Sequence, residues 1–152
     1  MKRKYWLFLA IVAIIILIPA VLAFASGGPT NPPVERQVNW DSPQTQEIFS
    51  RACADCHSNE TKWPWYSKIP PVSLLVVNHV NEGREKFNIS ARDMGDADEA
   101  AEALQEGEMP LRDYQLMHPE ARLSPAEKQA LIDGLLKTFG GEGGEHGEKD
   151  DD

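Results

Sequence analysis

The sequence predicts an all-α domain of four to five helices, preceded by one apolar helix, on the strength of three observations. No run sustains period-two alternation, whereas several place apolar residues at i, i+3, i+4 and i+7. Two of those runs open on a Ser-Pro pair, Ser42-Pro43 and Ser124-Pro125, with serine as N-cap and proline at the first helical position. Ahead of them stands a stretch with no charged residue at all, 5–25.

That stretch follows Lys2-Arg3-Lys4 and holds 21 residues. As a helix it extends about 31 Å, enough to cross a bilayer core. The basic cluster precedes it and acidic sequence follows, which orients the N-terminus to the cytoplasm and the rest outside. Ala23-Phe24-Ala25 also reads as a cleavage site, with Pro19 ahead of it. Against cleavage, the apolar run exceeds the roughly 7–15 residues of a signal-peptide core. Residues 1–25 are therefore read as a single-pass signal anchor in the cell membrane, with removal after Ala25 as the alternative. Either outcome puts the remainder on the periplasmic, extracytoplasmic side.

Residues 26–39 are rich in Gly and Pro and read as a linker. Residues 40–139 can bury one modest core. In its first helix Ile48, Phe49 and Ala52 share a face. The segment 63–71 (WPWYSKIPP) is irregular and aromatic. A second helix is expected over 72–84, with Val72, Leu75, Val76, His79, Val80 and Gly83 on one stripe. A third is expected from about Asp96, where Ala97, Ala100, Ala101 and Leu104 repeat correctly and Gly107 suits the C-terminal cap. A short turn or helix covers 111–117. The last helix opens with the capping box Ser124-Pro125-Ala126-Glu127 and lines up Leu131, Leu135 and Phe139, while Gly134 permits a close helix crossing. The acidic tail, 140–152, is expected to be disordered.

The chemistry lies in Cys53-Ala54-Asp55-Cys56-His57. This C-x-x-C-H spacing is that of covalent c-type haem attachment. Two thiols two residues apart can each form a thioether to a haem vinyl group, and the adjoining histidine then lies under the iron. A thioredoxin-like redox pair would want a βαβ pattern, which is not visible. Half of a zinc site completed by His79 or His118 is a further alternative. Both cysteines of the chain are used by the motif.

The run CADCHSNETKWPWY, then PPVSLLVV, NEGREKFN, GEMP and HPEARLS, resembles the haem-binding domain family of small bacterial cytochrome c-like proteins, over roughly 40–138. The resemblance implies a class I cytochrome c-like fold in which a helix carrying the haem motif crosses the C-terminal helix, with one covalent haem c. Cys53 and Cys56 are then the attachment thiols and His57 one axial ligand. For the other axial position, Met109 lies in Gly107-Glu108-Met109-Pro110, similar to the G-x-M-P loop of many class I cytochromes c. A thioether raises the potential relative to two histidines. His79 is the rival, on the apolar stripe of the second helix. His118 and Met117 are weaker candidates, the first for a turn hydrogen bond and the second for packing. Trp63, Trp65 and Tyr66 are candidates for haem packing or for bonds to a propionate.

Beyond the apolar segment 12 basic residues face 24 acidic ones, a net of −12. That excludes nucleic acid as a partner and suits a redox protein with a basic docking face. No catalytic carboxylate pair, nucleophile–base set or nucleotide loop is visible. The expectation is a membrane-anchored single-electron carrier rather than an enzyme. The alternative is a haem-based gas sensor or peroxidase-like module with an open or His79-ligated sixth position.

Overall fold

The computed structural model describes residues 2–25 and 29–140, and in the first of these stretches the side chains of 4–18, 21 and 22. The elements are α1 (Lys2–Ala25), α2 (Pro43–Ala52), α3 (Ala54–His57), α4 (Val72–Lys86), α5 (Ala100–Glu106), α6 (Arg112–Met117) and α7 (Pro125–Phe139). Single 3₁₀ turns lie at Trp65–Lys68 and Pro119–Ala121. Among the described residues there is no strand, only an isolated antiparallel bridge between Phe87 and Gly95. The all-α class is therefore as expected. The acidic tail from 141 and residues 26–28 lie outside the described residues.

The described side chains of α1 are apolar from Tyr5 to Leu22, and all but the half-buried Val12 are exposed. Among the described residues no helix is long and apolar enough to cross a membrane. The spanning helix expected over 5–25 is thus not supported by them.

Ser42 starts α2 as predicted, its Oγ accepting from Thr45 N–H at 3.2 Å. The helix stops at Ala52 because Cys53 leaves the helical region, with φ −129°. The chain re-enters a single turn, α3, in which the Cys53 carbonyl accepts from both Cys56 and His57 N–H. At the other end Ser124 and Glu127 form the reciprocal capping box of α7. The two terminal helices of the domain cross at Gly134, where a Cβ would stand 2.1 Å from Thr45 Oγ1. Only glycine permits that approach.

The core lies between these helices and α5. Ile48, Phe49, Ala101, Leu104, Leu131 and Leu135 are buried in it, with Phe87 from the loop after α4. Phe87 packs edge-on against Phe49 and Phe139, and Trp40 closes the same cluster, its ring 5.0 Å from that of Phe49.

Two expected helices shift. The one placed from Asp96 begins at Ala100, because Gly95 turns the chain left-handed at φ 71° and the next residues close i to i+3 turns instead of α-helical bonds. Helix α4 buries Ser73, Val77 and Val80 rather than the whole predicted stripe. Val72 and Leu75 stay 44% and 51% exposed. Apolar spacing shows which residues share a face; it does not show whether another element covers it.

Candidate functional site

The site is built around α3. Gly83 of α4 crosses it so closely that a Cβ would lie 2.8 Å from the Cys56 carbonyl oxygen. The residues after the motif then knit α3 to its surroundings. Ser58 Oγ donates to the Ala54 carbonyl at 2.7 Å, and Thr61 Oγ1 to that of Asp55 at 2.6 Å. Asn59, Asn88 and Ser90 are buried and satisfy one another: Asn88 Nδ2 donates to Asn59 Oδ1, Asn59 N–H to Ser90 Oγ, and Ser90 N–H to Asn88 Oδ1. A closed polar network of this kind specifies one arrangement, since opening it leaves buried groups unpaired.

That arrangement fixes His57 twice. Its carbonyl accepts from Ile89 N–H at 3.0 Å. Its ring Nδ1 lies 2.9 Å from the Phe87 carbonyl oxygen. The carbonyl can only accept, so Nδ1 carries the proton and Nε2 keeps a free lone pair. Burial lowers the pKa of the imidazole, opposed by the Phe87 and Gly83 carbonyls. The ring is thus held neutral and in the tautomer that a metal ligand requires.

Cys53 and Cys56 are unpaired thiols, each half-buried. Burial, then the neighbouring Cys56, pushes Cys53 up to about 12; burial, then Asp55, pushes Cys56 up to about 11. A thiol–disulfide redox centre needs the opposite, a thiolate stabilised near neutral pH. No group of three His, Cys, Asp or Glu side chains among the described residues could hold a metal ion by itself, so neither His79 nor His118 completes a zinc site with the cysteines.

The other predicted residues divide. Met109 is half-buried and packs against the core cluster that Cys53 and Ala54 also touch. Its N–H donates to the Ala103 carbonyl at 3.2 Å. His79 is turned toward α6, its Nδ1 3.7 Å from Asp113 Oδ2. His118 stands between Tyr66, whose hydroxyl is 2.9 Å from its Nε2, and Glu120, 3.1 Å from its Nδ1. Met117 is exposed. Trp63 donates its indole N–H to Asn31 Oδ1 at 3.0 Å, while Trp65 is 73% exposed. The polar handles of Trp63 and Tyr66 are therefore engaged within the protein.

Arg84, which nothing in the sequence singles out, is a hub. Its Nε donates to the Ser58 carbonyl, its Nη1 to that of Thr30, and its Nη2 to Asn31 Oδ1 and Thr61 Oγ1, all within 2.8–2.9 Å. Its guanidinium also lies over the Trp63 ring. With Asn59 Nδ2 on the Pro33 carbonyl and Glu35 N–H on that of Ser90, it straps residues 30–35 onto the motif. The stretch expected as a free linker is in that part fixed. The missed signal was an arginine five residues beyond His79 on the same helix, with polar partners too distant in sequence to be read.

An all-helical domain that presents two free thiols and one buried imidazole on a single turn has a donor set that fits haem. His57 Nε2 could bind the iron, and Cys53 and Cys56 could react with the vinyl groups. The chain belongs to the haem-binding domain family, whose model matches residues 14–137. No curated protein and no solved structure matches it.

Proposed function

We propose that this chain is a c-type cytochrome: one haem attached covalently through Cys53 and Cys56, with His57 and Met109 as axial ligands, passing single electrons outside the cytoplasm. The observation that carries the reading is the Nδ1–Phe87 carbonyl bond, which frees His57 Nε2 beside two reduced thiols. Bound haem supplies the ferric/ferrous couple. The protein supplies the rest. The Asn59–Asn88–Ser90 network holds His57 in register, and the aromatic cluster of Phe49, Phe87 and Phe139 excludes water from its side. Met109 offers a soft sulfur from a loop pinned at the Ala103 carbonyl. His79 is the weaker candidate, since its ring already faces Asp113.

The anchoring reading rests on sequence. Lys2-Arg3-Lys4 precedes 21 uncharged residues, and the family match begins inside that run at residue 14. A partner with a basic docking face suits the net −12 beyond it.

The test is spectroscopic, on the purified holoprotein. Met109→Ala should lose the far-red thioether-to-ferric-iron band and show a lower reduction potential, with haem still covalently bound on denaturing gels. An unchanged spectrum in that variant, with a changed one in His79→Ala, overturns the ligand assignment. Loss of haem stain only when Cys53 and Cys56 are replaced tests the attachment.

A further inference from the structure

Asp55 sits at the centre of the attachment motif, and both of its carboxylate oxygens are used. Oδ1 accepts from Lys62 N–H at 2.9 Å, and Oδ2 accepts from the Tyr114 hydroxyl at 2.8 Å. Tyr114 belongs to α6, which begins three residues after Met109. No other hydrogen bond among the described residues joins α6 to residues 53–57. On the same helix Gln115 Nε2 donates to the Pro110 carbonyl at 2.6 Å, bracing the loop directly behind Met109. Upstream, Glu108 and Met109 N–H both donate to the Ala103 carbonyl. The methionine loop is therefore pinned on one side to α5 and on the other, through α6, to the motif itself.

The Tyr114 ring is placed independently of that bond. It stacks on His118, centroids 4.2 Å apart and planes 14° from parallel, and His118 is held in turn by Tyr66 and Glu120. Burial, then the Asp55 charge, raises the pKa of the phenol, so it remains a donor throughout the physiological range. A hydroxyl donating to a carboxylate is the stronger kind of hydrogen bond.

We infer that Tyr114 is a positioning residue for Met109: its bond to Asp55 clasps the loop that carries the axial methionine to the motif that carries the haem, and so holds the thioether on the iron against competing ligands. This rests on Met109 being the sixth ligand. Where the thioether leaves by a swing of its loop, Ala103 fixes one end and the swing opens the Asp55–Tyr114 clasp. The clasp adds its own free energy to ligation without touching the iron.

The experiment is an imidazole titration of the full-length ferric holoprotein, followed by loss of the thioether band. Tyr114→Phe keeps the ring on His118 and removes only the hydroxyl. Without imidazole it should retain the band; with imidazole its apparent affinity should rise about tenfold over the parent, the scale expected for one hydrogen bond to a charged group. Asp55→Asn, which keeps a neutral acceptor, should give a smaller rise in the same direction. One control separates clasping from general destabilisation. Ser124→Ala weakens the distant cap of α7 and should leave imidazole affinity within twofold of the parent. Equal imidazole affinity in parent and Tyr114→Phe, with the band present in both and absent in Met109→Ala, overturns the clasp alone. A parent protein with no thioether band, or one whose band survives Met109→Ala, overturns the ligand assignment and the clasp together.

Discussion

At the scale of single residues, the proposed function turns on a proton placed on one nitrogen. Besides its ring in the core, Phe87 contributes a carbonyl, and that carbonyl decides which edge of His57 is free. Gly83 contributes only an absence. A methyl there meets the Cys56 carbonyl oxygen, which is backbone and cannot turn aside. Gly83→Ala should therefore cost about 1–3 kcal/mol of stability, the usual range for overpacking. The same clash displaces Cys56, so the yield of covalently bound haem, measured as pyridine haemochrome per polypeptide, should fall as well. The motif itself was legible in the sequence because its five residues act within one turn. Asp55, Arg84 and Tyr114 were not. Each works through a partner 23–59 positions away, and a single sequence gives no sign of such pairing. The loop position of Met109 was legible from Gly107 and Pro110, whereas the turning of His79 toward Asp113 was not, because helical spacing carries no information about what α6 covers.

At the scale of elements, the caps were read correctly and the covered faces less so. Ser42 and Ser124 announce helix starts through local chemistry that needs no tertiary context. Gly134 was legible as a crossing point, and Thr45 is what it crosses. The Ser124 cap also has a pH signature. Bonds from Ser124, backbone N–H first and then hydroxyl, hold the Glu127 carboxyl below its ordinary value of 4.5, helped by Arg51. A carboxyl whose folded value is depressed contributes stability above the unfolded value and loses it as the pH falls through the folded one. Thermal melting should therefore decline below pH 4.5 with a component that Ser124→Ala reduces by the hydroxyl's share, the backbone N–H and Arg51 remaining. At neutral pH the same variant should cost about 1 kcal/mol, the usual worth of an N-cap. A melting profile below that pH identical in parent and variant would contradict the assignment.

At the scale of the molecule, the strap joins what the sequence had separated. Residues 30–35 are polar and proline-rich, and composition alone reads them as a spacer. Their order comes from two carbonyls, one backbone N–H and one amide side chain that find donors or acceptors on α4 and on the segments at 57–61 and 88–90. Arg84→Ala should release this segment while leaving the core intact. Tryptic cleavage after Arg36, followed by mass spectrometry, should accelerate several-fold, and the helical circular dichroism should stay within error of the parent. Unaltered cleavage would mean that Asn59 and Ser90 suffice.

The strap also sets a direction for mechanical load. The chain enters the domain at Thr30 and Asn31, whose first attachment is the guanidinium of Arg84, and Arg84 in turn grips the carbonyl of Ser58, one residue past His57. Tension applied at Thr30 therefore reaches the turn at His57 before it reaches α2, the next helix in the chain. That turn, rather than α2, takes the first of the load.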